Sequence, residues 1–192
     1  MVETMQMPYE DQLIQILTRH SFIMQILSEL NRIDPKAYIA AGIIRNTVWA
    51  YLHDIDYPLN HTEVDVIFHD AKDHGKHANM IQKHMLSHFP NIEWDVTNQA
   101  LVHTWYKKDN GESIAPLTSI EHALSLWPET ATAIAVKLND QHQIECLAPF
   151  GLEDLFELKL RWNPTLVSHQ AFMKRLESKR FLERWSKLKL IN

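Results

Sequence analysis

Three acidic residues have the spacing that metal-dependent phosphate chemistry requires. Glu63 and Asp65 lie two apart in the strand-like run EVDVIF, so both carboxylates point to one face of a strand. Asp95 has the equivalent place in the alternating run NIEWDVT, where Glu93 competes with it because both lie on one face. Carboxylates gathered on one face repel one another unless a cation neutralises them. The pattern indicates a Mg²⁺ site, with Mn²⁺ as the alternative ion, because Mg²⁺ takes oxygen ligands that substrate phosphates often complete.

The same residues also have a simpler structural interpretation. Acidic pairs at a strand edge are often solvated or paired with Lys or Arg, so spacing alone does not establish a metal site. A second metal pattern is weaker. His84 and His88 lie four apart on a predicted helix, a spacing that can bind zinc, but the sequence offers no obvious third ligand. Two solvated or partly packed histidines are the favoured interpretation there.

A glycine turn precedes the acidic strands. An apolar strand over residues 38–41 ends in Gly42, which lets the backbone approach a ligand closely. Arg45 lies in the first turn of the helix that follows, where the helix dipole does not favour a cation. We therefore expect Arg45 to meet phosphate or a carboxylate from another segment. A surface ion pair with Asp54 or Asp56 explains its presence equally well.

Three amide side chains are further candidates for nucleotide binding. Asn46 lies beside the helix arginine, and Asn98 and Gln99 follow the second acidic strand. Polar groups at the end of a strand often converge on a ligand, which assigns Asn98 and Gln99 to the site. Asn46 is assigned with them as the neighbour of Arg45.

The C-terminal tail, residues 168–190, carries much of the positive charge of the chain. Such a run is usually a solvated helical face, but it can also receive an anionic substrate. If the acids handle a triphosphate, cations are needed for the charge that the metal does not cover. We expect some of four residues to lie in the cleft of the acids: Lys174, Arg175, Lys179 and Arg180.

Alternation and turn residues predict one domain of the α/β (α+β) class. The central strands are expected at residues 38–41, 64–68 and 92–97. Residues 8–31 are expected to form one amphipathic helix. Residues 131–138 and 142–147 are predicted to form a hairpin joined by Asn139-Asp140.

Length and composition are those of one globular domain. The 192 residues, 45% hydrophobic and 22% charged, divide into an N-terminal helical segment (1–35), a core (36–150) and a helical C-terminal region (151–192). No apolar run approaches the length of a membrane span. The only cysteine, Cys146, excludes an intrachain disulfide and fits a reducing cytoplasm. The formal net charge of -5 argues against broad nucleic-acid binding, although it permits a local basic patch.

Six blocks of the chain resemble, in order, the signatures of a known family. They are AGIIRNTVW, EVDVIF, WDVTNQALVH, WPETATAIAV, APFGLEDLF and RFLERWSKL, and they cover nearly the whole chain from Tyr38 onward. The family they resemble is a bacterial nucleotidyltransferase-like family of the polymerase-beta-type nucleotidyltransferase superfamily. The ordered set is far more specific than any one block.

This resemblance implies a fold, a site and an activity. The implied fold is a small mixed sheet with a glycine turn, a strand bearing two acids, and a third acid on a neighbouring strand. Carried over, the turn is Ala41-Gly42, and the acids are Glu63, Asp65 and Asp95. In such enzymes the acids hold two divalent ions that act on an acceptor hydroxyl and a nucleoside triphosphate. The implied reaction moves a nucleoside monophosphate to an acceptor that the sequence does not identify.

Three positions depart from the family pattern. Ile43 replaces a second small residue in the turn, Glu63 stands where the family usually has Asp, and Leu101 replaces an arginine. Each change removes or alters a contact to phosphate or metal. A second hypothesis therefore stays open, in which the chain is an inactive member that binds a nucleotide or a protein partner.

Overall fold

The computed structural model of the protein describes residues 7–59 and 62–191. Its α-helices are α1 (Tyr9–Thr18), α2 (Ser21–Ile33), α3 (Gly42–His53), α4 (Lys76–His88), α5 (Ile120–Leu124), α6 (Glu153–Phe156), α7 (His169–Lys179) and α8 (Phe181–Arg184). Its strands are β1 (Tyr38–Ala40), β2 (Glu63–Phe68), β3 (Glu93–Asn98), β4 (Ala135–Leu138), β5 (Ile144–Leu147), β6 (Lys159–Arg161) and β7 (Lys189–Ile191). Short 3-10 helices span Gln99–Thr104 and Thr130–Thr132.

The main sheet is mixed, with the strand order β3-β2-β1-β4-β5. β2 and β3 run parallel and are connected through α4, as a parallel pair requires. β1 is antiparallel to both β2 and β4, and β4 is antiparallel to β5. β6 and β7 pair separately as a two-stranded parallel sheet. This mixed sheet with flanking helices confirms the fold class that the sequence predicted.

The two faces of the main sheet are packed differently. Val64, Val66 and Phe68 of β2 are buried in the main core, together with apolar side chains of α1, α2, α3 and α4. Successive residues of a strand point to opposite faces, so Asp65 and Ile67 lie on the other side. There Ile67 joins a much smaller apolar cluster with residues of α5 and β4. Asp65 therefore lies on the face that the protein covers only in part.

The N-terminal amphipathic segment is divided into two helices, so the prediction of one helix over residues 8–31 was wrong. α1 ends at Thr18 and α2 begins at Ser21, because His20 between them has an extended backbone (φ -94°, ψ 95°). Residues 18–21 are all polar, so the apolar stripe is interrupted there. A continuous helix would have no apolar side chain to bury in that turn. No helix within residues 7–59 and 62–191 is long and apolar enough to cross a membrane.

The predicted hairpin is shorter and its turn is longer. Thr130–Thr132 is a 3-10 helix rather than a strand, and β4 begins only at Ala135. The turn covers residues 139–143 instead of the two residues Asn139-Asp140. Its cause is the Asn139 side chain, whose Oδ1 accepts hydrogen bonds from two backbone N–H groups of the turn at 2.9 and 3.0 Å.

Candidate functional site

The parallel pairing of β2 and β3 brings the three predicted acids together. Asp65 and Asp95 are direct neighbours in the register, and Glu63 precedes Asp65 on the same face. One carboxylate oxygen from each of Glu63, Asp65 and Asp95 lies within 4.8 Å of the other two. Glu93, the competing acid, is exposed and pairs in register with Glu63 but does not belong to this group of described acids. Two segments that are distant in sequence thus form one cluster of carboxylates.

Asp65 has the least favourable environment of the cluster. Its pKa is raised to about 6, first by burial and then by the negative charges of Glu63 and Asp95. Arg45 and a hydrogen bond from the backbone N–H of Gly42 act in the opposite direction without cancelling the shift. The protein's own cations therefore leave negative charge at this point undercompensated. A bound cation would stabilise the ionised form of such a group.

The turn between β1 and α3 lies at Ala41-Gly42, and the strand before it ends at Ala40, one residue earlier than predicted. The positive φ falls on Ala41 (φ 53°, ψ -114°), a conformation that residues with a Cβ rarely adopt, and Gly42 is the first residue of α3. A Cβ at Gly42 would lie 3.7 Å from Arg45 Nη2, which is an ordinary contact distance. Ile43 is fully buried in the main core, so its side chain faces away from ligands. The strained residue that directs the start of α3 toward Asp65 is Ala41.

Arg45 is a buried cation held in a fixed position. Its Nε and Nη2 donate to Asn46 Oδ1 at 3.1 and 3.0 Å, and its Nη1 donates to Thr132 Oγ1 at 3.2 Å. The guanidinium lies over the ring of Phe181, 4.5 Å from its centroid. Burial lowers the pKa of Arg45 to about 10, which leaves the group charged at neutral pH. The aspartates that follow α3 are not among its described partners, so the surface ion pair is not formed.

A second arginine belongs to a buried ion pair that the sequence did not suggest. Arg175 Nε donates to Glu129 Oε1 at 2.6 Å, and Glu129 is completely buried. Its other oxygen, Oε2, has no hydrogen-bond partner among the described residues. The negative charge of Glu129 also favours the charged form of Arg45, so one buried acid holds Arg175 by a hydrogen bond and stabilises the charge of Arg45. Glu129 lies in the block WPETATAIAV that resembles the family, but a single acid after Pro128 suits a surface turn equally well.

The acids and these arginines line one cleft of about 530 Å³. Its cations come from α3, α7 and α8, and they are Arg45, Arg175, Lys179 and Arg184. Lys179 Nζ lies 3.8 Å from Glu63 Oε2. Arg175 and Lys179 thus confirm that part of the tail cluster reaches the acids, whereas Lys174 and Arg180 are not among the described residues that line the cleft. Four cations face three carboxylates in the same space.

A second cavity, of about 270 Å³, borders two of the three acids. Asp65, Asp95 and Trp127 line both this cavity and the cleft. Most of its remaining walls are apolar or aromatic, and they include Ile67, Val102, Trp105, Tyr106, Ile114, Leu117 and Leu126. No Lys or Arg is among the described residues that line it. The acids therefore separate a basic cleft from an apolar cavity.

The three predicted amides have three different positions. Asn46 lines the cleft, and its Nδ2 donates to Tyr57 OH at 2.9 Å. Gln99 lines the apolar cavity. Asn98 accepts from the backbone N–H of Asp70 at 3.1 Å and donates to the Asp70 carbonyl at 2.8 Å, which fastens the ends of β2 and β3 together. Asn98 is not among the described residues that line either space.

Several solved structures are similar to this fold. An NMR structure described as revealing a CCA-adding enzyme head domain is 27% identical to the chain, with a TM-score of 0.78 over 95% of both chains. A CCA-adding enzyme in complex with ATP is 15% identical, with a TM-score of 0.59 over 98% of this chain and 44% of its own. The Thermotoga maritima CCA-adding enzyme complexed with tRNA is 14% identical, with a TM-score of 0.54 over 95% of this chain and 42% of its own.

The last two likenesses show the fold alone, and the chain spans less than half the length of those enzymes. No curated protein sequence matches the chain at a significant level. The sequence profile of a nucleotidyltransferase family, by contrast, matches residues 31–190 and so includes the whole five-stranded sheet and the described lining of both cavities. The chain therefore belongs to this family of nucleotidyltransferases.

Proposed function

We propose that the protein transfers a nucleoside monophosphate from a nucleoside triphosphate to an acceptor hydroxyl, with Mg²⁺ bound by Glu63, Asp65 and Asp95. The observation that carries this proposal is the cluster of three carboxylates in a cleft that four cations also line. Carboxylates alone favour a metal and cations alone favour an anion, whereas both together suit a metal-bound polyphosphate. The complexes of similar CCA-adding enzymes with ATP and with CTP support a nucleotide as the ligand.

The donor set fits Mg²⁺. All three groups offer carboxylate oxygens, and the raised pKa of Asp65 marks negative charge that a divalent cation would relieve. Glu63 is exposed, and its longer side chain still brings an oxygen to the cluster, so its difference from the family pattern is compatible with metal binding. When bound, Mg²⁺ would neutralise phosphate charge and polarise the reacting oxygens, and Mn²⁺ accepts the same donors.

The cations of the cleft hold the triphosphate. Arg45 and Arg175 are fixed by hydrogen bonds to Thr132 and Glu129, so little side-chain freedom is lost when they bind phosphate oxygens. Lys179 is half exposed and adjusts to the ligand as a mobile charge. Gly42 leaves the start of α3 without a side chain, so phosphate oxygens reach the backbone there. These groups stabilise the charge that accumulates on the leaving pyrophosphate.

The proposed reaction is a direct displacement at the α-phosphorus. The acceptor oxygen forms a bond to this phosphorus, and the bond from phosphorus to the bridging oxygen breaks, which releases pyrophosphate. The hydroxyl proton passes to the carboxylate of Asp95, the acid that borders both cavities and is exposed. Thr97 Oγ1 donates to Asp95 Oδ1 at 2.9 Å and orients that carboxylate.

The apolar cavity receives the acceptor. A leaving pyrophosphate held in the basic cleft requires the attacking hydroxyl to arrive from the opposite side of the phosphorus. The second cavity shares Asp65 and Asp95 with the cleft and so offers such an approach. Because no described Lys or Arg lines that cavity, it does not suit a polyanionic backbone. It suits an uncharged, apolar or aromatic group that carries a hydroxyl, oriented by Gln99.

A transfer assay tests the proposal. The protein is incubated with Mg²⁺, each nucleoside triphosphate in turn, and mixtures of candidate acceptors, while released pyrophosphate and acceptor mass are followed. We expect pyrophosphate release matched by a gain of one nucleoside monophosphate on the acceptor. Asp65→Asn should lower the rate by about three orders of magnitude, as loss of a transition-state charge partner does. The control Glu93→Gln changes an exposed acid on the same face and should retain the wild-type rate.

A cavity variant tests the side from which the acceptor enters. Val102→Trp places a large ring in the apolar cavity and should reduce transfer more than tenfold, while the affinity for Mg²⁺-ATP stays within about twofold. If the wild type binds nucleotide but releases no pyrophosphate under any of these conditions, the result would contradict the transferase proposal. It would instead support an inactive module that binds a nucleotide.

A further inference from the structure

A second set of metal ligands lies where α2 packs on α4. Glu29 of α2 and His84 and His88 of α4 each place one ligand atom within 4.8 Å of the other two. None of the three is among the described residues that line the nucleotide cleft or the apolar cavity. The sequence showed the two histidines without a third ligand, because the third comes from a helix that only the fold brings near.

The three side chains are held in a compact arrangement. The histidines are one helical turn apart, and their rings stack with centroids 4.3 Å apart. Glu29 Oε1 contacts His84 Nε2 and lies 3.3 Å from His88 Nε2. The side chains of Glu29 and His84 are only 18% and 22% exposed, so most of their motion is already restricted. Few side-chain conformations would have to be lost on binding an ion.

The hydrogen bonds of His88 direct its Nε2 at the carboxylate of Glu29. His88 Nδ1 lies 3.0 Å from the backbone carbonyl of His84, which can only accept, so Nδ1 carries the hydrogen. In a neutral ring with this tautomer, Nε2 is an acceptor that faces Glu29 Oε1, another acceptor. Either a proton on Nε2 or a metal ion bound by both atoms makes this contact favourable, so Nε2 is placed where a metal ligand must be. A ring N–H bonded to a backbone carbonyl is also the usual way in which a metal-binding histidine is oriented.

Arg32 now occupies part of this space as a cation. Its Nη2 donates to Glu29 Oε1 at 2.7 Å and lies 3.0 Å from His84 Nε2. The Arg32 side chain is 60% exposed, so it can turn into solvent without disturbing the core. The cluster thus already attracts a positive group at the point where its ligand atoms meet.

We propose that Glu29, His84 and His88 form a binding site for a first-row transition-metal ion, of which Zn²⁺ is the representative. Two imidazole nitrogens and one carboxylate oxygen are zinc ligands, whereas Mg²⁺ prefers oxygen alone. Three protein ligands leave one position for water. Because the ligands come from α2 and α4, the ion clamps these two helices together. Arg32 is a competitor of the ion and leaves when it binds.

Zinc titration of matched variants tests this site. Calorimetry is performed on the full chain in the Asp65→Asn background, which weakens the acidic cluster as a source of background binding. The variants are His88→Ala, Arg32→Ala and the control His74→Ala, an exposed histidine outside the cluster. Thermal unfolding with and without Zn²⁺ is measured on the same proteins. Melting without Zn²⁺ shows whether each variant is folded.

The expected results differ for each variant. One Zn²⁺ should bind the parent and the His74→Ala control with equal affinity and should raise their melting temperatures. His88→Ala should lower the affinity at least tenfold and remove the rise. Arg32→Ala should increase the affinity, because the competing cation is gone. Equal zinc affinity in His88→Ala and the parent, or weaker binding in Arg32→Ala, would overturn the proposal and leave the cluster as a network of ion pairs.

Discussion

The two faces of strand β2 have opposite roles although they alternate along the same six residues. Val64, Val66 and Phe68 are at most 2% exposed and belong to the main core. On the other face Glu63 and Asp65 gather with a third acid, and the pKa of Asp65 is raised to about 6. The first face stabilises the protein, and the second weakens it at the place where a cation can bind.

This difference shows how the site obtains its geometry. The apolar side chains fix the register of β2, since a slip of one residue would expose all of them. That same register places Asp65 beside Asp95. The acids therefore do not need to attract one another to meet. The packed face imposes a contact that electrostatics alone would oppose, as is common in functional sites built on rigid elements.

Truncation on the packed face should give the largest effect on stability. Phe68→Ala removes a fully buried ring and should lower the free energy of unfolding by about 3–5 kcal/mol. Folded molecules should keep their affinity for Mg²⁺-ATP within about twofold, because Phe68 does not line the described cleft. Urea denaturation and calorimetry measure the two quantities. A loss of affinity without a loss of stability would show that the two faces are not separate in function.

Removing the charge of Asp65, on the face of β2 that carries the acids (the open face), should change stability in the opposite direction. In the absence of metal at pH 7, Asp65→Asn should increase the free energy of unfolding by up to about 3 kcal/mol, because the folded pKa of about 6 exceeds the ordinary value near 4. The folded protein favours protonated Asp65. The stability that this protonation contributes to the wild type is complete below about pH 4 and is lost as the pH rises through about 6.

Denaturation at several pH values checks this sign. The advantage of Asp65→Asn over the wild type should grow between about pH 4 and pH 6 and stay constant above. Glu93→Gln, on the same face of the sheet but in β3, should show no such gain in stability with pH. A variant that is less stable than the wild type at neutral pH would indicate that Asp65 stabilises the fold and would remove the contrast between the faces.

A smaller effect is expected at the turn that leads to the open face. Ala41→Gly should raise the free energy of unfolding by about 1 kcal/mol, because glycine adopts φ 53° without the strain that a Cβ causes. The greater freedom of glycine in the unfolded chain reduces the gain. Thermal or urea unfolding measures it. Destabilisation by Ala41→Gly would mean that the turn is not strained in the folded protein.

The smallest effect should come from an exposed charge of the cleft. Lys179→Gln breaks an ion pair with Glu63 in which both side chains are nearly half exposed, so stability should change by less than about 0.5 kcal/mol. At low salt, the affinity of the variant for Mg²⁺-ATP should be about two- to fivefold weaker than that of the wild type. At high salt this difference should become smaller, because screening weakens binding by the wild type. Unchanged affinity at low salt would exclude Lys179 from triphosphate binding.

The parts of the site that follow from local periodicity were accessible from the sequence. Side chains alternate along a strand, so Glu63 and Asp65 had to share a face, and the alternating run before Thr97 put Asp95 on a matching face. The position of the Ala41-Gly42 turn was also accessible, but the positive φ of Ala41 was not, because glycine is the residue that usually adopts it. Local rules predict the usual residue and miss strain that the surrounding fold imposes.

Contacts between distant elements were not accessible in the same way. Glu129 is a cleft residue only because α7 brings Arg175 to it, and Glu29 approaches His84 only because α2 packs on α4. Leu101, expected to weaken phosphate binding, lies in the 3-10 helix that contributes to the apolar cavity, while the cations of the cleft come from α3, α7 and α8. Packing geometry decides such contacts, and periodicity carries no information about it.

The most direct test of the central claim is calorimetric titration of ATP with Mg²⁺ into three proteins: the wild type, Asp65→Asn and Glu93→Gln. If Glu63, Asp65 and Asp95 bind the metal that holds the triphosphate, the wild type and Glu93→Gln should bind with the same affinity. Asp65→Asn should bind at least about tenfold more weakly, since the ion loses a charged ligand. Equal affinity in all three proteins would contradict the metal site and leave the acids of β2 and β3 as ordinary surface groups.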